Sequence, residues 1–535
     1  MRRASSTREY YDDSSDYYRY TTGRWLFNES LQFNISALAA IATRCLGHEP
    51  ASCIKIEKLP EGNFNKSLLL TMANGSQVIA RVPNPNSGIP HFTTASEVAT
   101  MDFARNELGM PVPKVLTWSS HASENPVGAE YIVMEKAVGS PLTHIWPRLS
   151  NEEKRDLVQA IVSFEVRVLN HPLGGIGSLY YSKDIPSGMK YLPALGLNDI
   201  RGHWVLGPTT DRRFFDDSKG ELSLDRGPCK EHCTRVPGSD LSSGDGGYPK
   251  NPKRPLRPEG IVGPEGYQPD RALKLSVCRD VLKVVDHILP SNPACQKPVL
   301  WHKDLHLDNI FVDPEKPTEI VGLIDWQNAR VAPLFDQVSY PSFLDYNGPK
   351  VEGLKAPSLP EYFEELDDDA KKRAKKLLVE QTLYKYYDLY TAAMNLPAYH
   401  ALRYQDTLQG EIVTFVGIAL NDGEPTLQGL LMQLASRWDE LINGKGGLPC
   451  PLHYSAEAID RQQELEEKWV EGIKLMDDVL ESLGGAIRGW EGWVSHEDYE
   501  PLKQKLALVR EQFIEYFAGD NKEAAEAWAR AWPFK

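Results

Sequence analysis

The chain has 535 residues, long enough for roughly two to four domain-sized units, with 41% hydrophobic and 25% charged residues, a soluble globular balance. A net charge of −15 argues against nucleic-acid binding, which leaves a basic footprint, and no apolar run approaches the roughly 20 residues that span a bilayer. Seven cysteines, odd in number and thinly spread, fit the reduced thiols of an intracellular protein.

The N-terminus, MRRASSTREYYDDSSDYYRY, starts basic and Ser-rich, then turns acidic and Tyr-rich. Import peptides are poor in acids, so residues 1–20 read first as a flexible tail and second as a mitochondrial signal. The expected location is intracellular, cytoplasmic or mitochondrial.

SLQFNISALAAIATRCLG is the first predicted helix, with Gly47 as its stop. SCIKIEKL alternates apolar and polar residues, PEGNFNK turns the chain into SLLLTM, and Asn74-Gly75 turns it again into QVIARVP. TTASEVATMDFARNELG is predicted as a helix opened by Thr94, with Glu97 at capping-box spacing. PKVLTWSS and AEYIVMEKAVG add two strands. Residues 21–139 are therefore expected to form a five-stranded antiparallel sheet with one helix between its third and fourth strands.

From Ser150 helices dominate, beginning with NEEKRDLVQAIVSFEVRVL. Residues of about 181–270 are rich in Pro, Gly and charge and read as a long surface insertion, partly disordered. CKEHC within it (Cys229, His232, Cys233) has no second pair at zinc-finger spacing, so no metal is assigned there. RALKLSVCRDVLKVVDHIL returns to helix. Beyond Pro360 most of the chain is predicted helical, with mixed-charge solvated faces.

The chemistry lies in WHKDLHLDNIFVDPEKPTEIVGLIDWQNA, from Trp301. Asp304 and Asn309 share one turn-like loop, IFV is a short strand, and TEIVGLIDW is a second strand with Asp325 at its exit. A hairpin of this kind sets Asp325 beside Asn309. Carboxylates brought together repel unless a cation lies between them, and this hard, oxygen-rich set suits Mg²⁺. So few protein ligands leave coordination positions for phosphates, which makes ATP or GTP the natural co-substrate. Asn309 and Asp325 would hold the metal while Asp304 orients an incoming hydroxyl and takes up its proton late. Singly, each residue could just as well cap or support a turn. His302 is expected to hold the loop by packing and backbone hydrogen bonding.

This D-x-x-x-x-N, hairpin, I-D-W set resembles the protein-kinase-like fold, and specifically the aminoglycoside phosphotransferase family. YRYTTGRWLFNE, EGNFNKSLLL, VIARVP, SEVATMDFAR, LDRGP and GLIDWQ are similar to its fungal branch, which includes the altered-inheritance-of-mitochondria proteins. The resemblance implies an α+β bilobal fold. Residues 21–139 would be a nucleotide-clamping N-lobe and residues 140–535 a larger, mainly helical C-lobe with its catalytic loop at 301–327. It implies that PEGNFN, with Gly62 and Asn63, covers the phosphates. Arg81 stands where protein kinases place the lysine that contacts phosphate, and Glu97 where its ion-pair partner would be. Arginine there is bulkier, planar and bidentate. Met134 would lie near the adenine, with the backbone of Glu135 to Ala137 hydrogen-bonding the base.

The implied function is transfer of a γ-phosphoryl group to a hydroxyl-bearing small molecule. Asp336, Glu364, Glu365, Asp367 and Asp368 could draw in a cationic one, although EELDDDAKKRAKK reads more simply as an exposed helix. The alternative is a pseudokinase that binds nucleotide or a partner protein and transfers nothing. Arg81 and the single-glycine loop favour it; the intact Asp304–Asn309–Asp325 set opposes it, because a binding protein has no need of a base. A kinase acting on protein is disfavoured, because LIDWQ lacks the D-F-G glycine and no A-P-E-like segment follows.

Overall fold

The computed structural model describes residues 33–47, 49, 52–60, 64–84, 87–194, 203–215, 220, 225–230, 260–351, 353, 355–419, 422–442, 448–483 and 499–534, with the backbone of a short strand pair, Arg19–Tyr20 and Glu29–Ser30. The expected tail up to residue 18, the phosphate-loop residues Gly62 and Asn63, and His232 and Cys233 lie outside the described residues.

Asn34 caps the first helix, α1 (Ile35–Cys45), by accepting from the Ala37 amide, and Gly47 turns the chain away at φ +75°. Strands β1 (Cys53–Lys58), β2 (Asn65–Met72) and β3 (Gln77–Pro83) form a meander, helix α2 (Phe92–Asn106) follows, and β4 (Val115–Ser119) and β5 (Tyr131–Glu135) complete the sheet. The expected five-stranded antiparallel sheet is observed, in the order β1-β2-β3-β5-β4. Alternation along the strands divides the side chains. Leu68, Leu70, Val78, Ala80, Val82 and Val133 pack against Leu38 and Ala42 of α1, while Ile79, Ile132 and Met134 face α2 and the second lobe.

The capping box expected from Thr94 and Glu97 does not form. Helix α2 starts earlier, after His91 at φ +68°, with no side-chain cap bond from that residue. Glu130 supplies the carboxylate instead: Oε1 accepts from the His91 amide (2.7 Å) and Oε2 from the Thr94 hydroxyl (2.5 Å). That leaves Glu97 inside the helix and buried.

After Gly139, at φ +86°, strand β6 (Ser140–Pro141) pairs with a strand of the second lobe. Ser150 caps helix α3 (Asn151–Leu169) with a full capping box to Glu153. The insertion is not all surface. Strands β7 (Ser178–Tyr181), β8 (Leu192–Pro193) and β9 (Trp204–Gly207) make a three-stranded sheet with β9 in the centre, where Val205 and Leu206 are buried. The Pro, Gly and charge around it hid a four-residue apolar run, WVLG, too short to stand out by period.

Helix α4 (Arg271–Ile288) leads to β10 (Pro298–Trp301), the hairpin β11 (Ile310–Val312) and β12 (Ile320–Leu323), and β13 (Arg330–Pro333), which pairs with β10. Helices α5 (Asp368–Met394), α6 (Leu396–Gln405), α7 (Leu408–Ala419) and α8 (Glu424–Ser436) follow, α4 burying Val277, Val281 and Val284 against α7 and α8. Helices α9 (Ala456–Ser482), α10 (Tyr499–Ala518) and α11 (Lys522–Ala531) close the chain around Met476, Phe513 and Trp532. The fold is α+β and bilobal, a sheet-rich lobe beside a mainly helical one. Among the described residues no helix is long and apolar enough to cross a membrane, and the cysteines are free thiols.

Candidate active site

Strand β10 delivers the chain to Trp301, and the loop from His302 ends in a short 3-10 turn, Leu307–Asn309. The hairpin pairs Ile310 with Leu323, and the Ile324 amide donates to the Asn309 carbonyl at 3.0 Å. Asp325 is thereby brought one residue past the level of Asn309. Its backbone turns left-handed, φ +63°, a conformation that Asp tolerates better than most residues. The His302 ring meets the Ile324 carbonyl through Nε2 at 2.9 Å and packs edge-on to Trp326. It braces the loop as expected, and burial pushes its pKa down. The Asn309 amide donates through Nδ2 to the Asp304 carbonyl (2.8 Å), tying the two ends of the loop together. The Asp304 side chain is 66% exposed, open to an incoming molecule, with His306 Nε2 3.7 Å from its Oδ2.

Alternation on β3 turns Arg81 into the cleft. Its guanidinium donates through Nη1 to Glu97 Oε1 at 2.6 Å and through Nη2 to Asp325 Oδ1 at 2.9 Å. The expected Arg81–Glu97 contact is present, and its second arm reaches Asp325, which the sequence reading did not foresee. Burial pushes the Glu97 carboxyl up to about 7 although Arg81 pulls it back, and the guanidinium stays charged. Asn65, at the end of the expected phosphate loop, meets Gln327 across the cleft at 2.8 Å.

At the expected adenine edge Met134 is buried and pairs with Ile79 and Val115. The Glu135 amide is not available to a base, because it donates to the Lys114 carbonyl at 2.9 Å. That bond continues the pairing of β5 with the chain entering β4.

A cavity of about 410 Å³ opens between Phe64, Asp304 and Asp325. Its far wall comes from segments to which sequence reading gave no role: Asp211 and Arg212 from the insertion, Lys303, and Arg330 at the start of β13. Arg330 pairs with Trp301 in the strand register, so it lies beside the loop. Its guanidinium contacts Asp211 Oδ2 at 2.8 Å and Asp336 Oδ2 at 2.6 Å, and Arg213 adds contacts to Asp211 (2.8 Å) and Asp336 (3.5 Å). Although burial pushes both carboxyls up, Arg330 and Arg213 outweigh it and hold them below the usual range, Asp211 far below. Arg212 lies over the Phe64 ring at 4.3 Å, a cation–π contact across the cleft. The sequence signal was present in TTDRRFF and in Lys303 within the motif itself, but nothing in one dimension joins them.

Of the acidic residues expected to draw in a cation, Glu365 and Asp368 are exposed and the other three are otherwise engaged. Asp336 is neutralised in this cluster, Glu364 pairs with Lys371 at 3.3 Å, and Asp367 caps α5 by accepting from the Ala370 amide at 2.7 Å. Among the described residues no three His, Cys, Asp or Glu side chains form a ready metal cage. The donors that fit Mg²⁺ are the Asn309 side-chain oxygen, left to accept because its NH₂ is spent on Asp304, and Asp325 Oδ2, which makes no hydrogen bond among the described residues.

Residues 250–340 match the family described as "Phosphotransferase enzyme family". A subtelomeric hrmA-associated cluster protein of Aspergillus fumigatus is 30% identical over 528 residues, covering 90% of this chain and 97% of its own. Altered inheritance of mitochondria protein 9, mitochondrial, of Saccharomyces cerevisiae is 23% identical over 92% of this chain and 81% of its own. Similar solved structures include the streptomycin–ATP–APH(2″)-IIa ternary complex (13% identity, 72% of this chain and 92% of that one, TM-score 0.32). A macrolide 2′-phosphotransferase type I is also similar (14% identity, 75% and 96%, TM-score 0.32).

Proposed function

Because the chain belongs to the phosphotransferase enzyme family, that of the aminoglycoside phosphotransferases, we propose that it moves the γ-phosphoryl group of ATP or GTP to a hydroxyl of a small molecule. The observation that carries this reading is the exposed Asp304 carboxylate, on a loop whose backbone carbonyl at Asp304 accepts from the Asn309 amide, at the mouth of a cavity that Asp325 also lines.

Asp304 accepts a hydrogen bond from the acceptor hydroxyl and orients its oxygen toward the γ-phosphorus. As the new P–O bond forms, the bond to the β-phosphate oxygen breaks, the nucleoside diphosphate leaves, and the hydroxyl proton passes to Asp304. Asn309 and Asp325 would hold Mg²⁺, which when bound neutralises charge building on the phosphate oxygens. Arg81, fixed by Glu97, steadies the phosphates. Asn65 and Phe64 close over the cleft from the sheet, and the Lys136–Ala137 stretch borders the base. We infer a mitochondrial or cytoplasmic location, following the name of the yeast relative.

The second reading is a nucleotide-binding pseudoenzyme, and one observation favours it: Arg81 occupies one oxygen of the metal carboxylate. Turnover with Asp304→Asn as control separates the two. Phosphotransfer expects turnover to fall at least about 100-fold while Mg²⁺–nucleotide still raises Tm. Equal turnover of wild type and variant would discard the catalytic reading.

A further inference from the structure

The cavity wall facing Asp304 is cationic in a protein of net charge −15. Arg212, Lys303 and Arg330 line it, with Arg213 behind them, against the carboxylates of Asp211, Asp336 and Asp304 itself. Arg213 and Arg330 are locked by Asp211 and Asp336. Lys303 is different. Among the described residues its ammonium makes no hydrogen bond and no ion pair, although it borders the cavity beside the residue that would activate the acceptor. Its side chain is exposed toward the cavity, with Arg330 and Arg213 nearby and the carboxylates of Asp336 and Asp211 acting on it in the opposite sense.

An unpaired lysine held among fixed arginines is a ready partner for an anion. The phosphates of a nucleotide have another cation, Arg81, on the sheet, together with the metal that Asn309 and Asp325 would hold. The Lys303 wall is built instead from the helical lobe and the insertion. We propose that this recess is the anion subsite of the acceptor: the small molecule phosphorylated through Asp304 carries, besides its hydroxyl, a carboxylate or phosphate that Lys303 engages beside Arg212. The proposal rests on the phosphotransferase reading and narrows it, from a cationic or neutral acceptor to a hydroxylated acid.

The test is thermal unfolding of the full chain saturated with AMP-PNP and Mg²⁺, titrated with glycerate or glycerol 3-phosphate, with glycerol and choline as neutral and cationic controls. At least one anion is expected to raise Tm further, glycerate marking a carboxylate site and glycerol 3-phosphate a phosphate site, while glycerol and choline do not. Lys303→Gln should weaken that anion's apparent affinity about tenfold or more. The same variant should leave the AMP-PNP shift and the unliganded Tm intact, since Lys303 makes no ion pair to lose. Lys371→Gln, at the start of α5 and outside the cavity lining, should leave that anion's affinity unchanged.

The proposal is overturned if no anion stabilises the nucleotide-loaded protein, or if choline or glycerol does so equally. It is also overturned if anions act only without AMP-PNP, or if Lys303→Gln abolishes the AMP-PNP shift; either marks a nucleotide-phosphate site. Absence of any AMP-PNP shift in the wild type is a separate result that removes the phosphotransferase reading beneath it.

Discussion

Arg81 reaches from the sheet of one lobe to Asp325 in the turn of the other, at 2.9 Å, while its other arm holds Glu97 at 2.6 Å. A single ammonium cannot span both partners with the planar fork that guanidinium provides. The cation proposed for phosphate and a carboxylate proposed for metal thus meet each other across the cleft.

Removing Arg81 strands a carboxylate, because Glu97 is 3% exposed. Arg81→Ala should cost about 3–5 kcal/mol in urea unfolding, the usual penalty for half of a buried pair. Arg81→Met with Glu97→Leu should recover most of that loss. A single variant as stable as wild type would show that the pair does not hold the fold.

Asp325→Asn keeps a residue that tolerates the left-handed turn and removes only its charge. The Mg²⁺-dependent part of the nucleotide-induced Tm shift should vanish in this variant and in Asn309→Ala. A shift still dependent on Mg²⁺ in both would place the metal elsewhere.

Glu165 of α3 is buried, accepts one hydrogen bond from Tyr387 (2.9 Å) through Oε1, and leaves Oε2 without a partner. Burial pushes its carboxyl up to about 8 from an ordinary 4.5. The folded chain therefore keeps a proton that the unfolded chain releases, so this group's contribution to stability falls as pH rises from 4.5 to 8. Glu165→Gln should flatten that decline and be the more stable protein at pH 8, read from urea midpoints across the range. A variant that follows the wild-type profile would count against a protonated Glu165.

Asp211 shows the opposite sign. Arg330 and Arg213 hold its carboxyl far below 3.8, so its stabilisation is complete above that pH and is lost as acid titrates the folded state. Asp211→Ala leaves Arg330 with only Asp336 and should destabilise the chain at neutral pH by about 3 kcal/mol or more. Its denaturation should also depend less on pH below 4 than that of the wild type. Unchanged stability at pH 7 would mean that the insertion is only appended.

The sheet was legible because its strands alternate and its turns carry Asn-Gly and Gly signals, and helix α3 because its apolar residues fall at helical spacing. The loop around Asp304 was legible because its residue types are costly to crowd together without a purpose. The start of α2 was misread. Thr94 and Glu97 have capping-box spacing, but Glu130, distant in sequence, took the capping role and freed Glu97 for Arg81. The basic wall stayed hidden because Arg212, Lys303 and Arg330 are joined only by folding, and WVLG lies inside composition that reads as loop.

The linker between the lobes is stitched to the hairpin that carries Asn309. A side chain at Gly139 would collide with the Val312 carbonyl, and Ser140–Pro141 pair with Phe311 and Val312. A door hung this way cannot swing at its inner edge. A hinge between the lobes would therefore have its axis upstream, in the unpaired stretch Lys136–Val138, where Val138 is 73% exposed. The base of a nucleotide would rest against that axis, and the phosphates at the far end of the lever would feel its smallest turn.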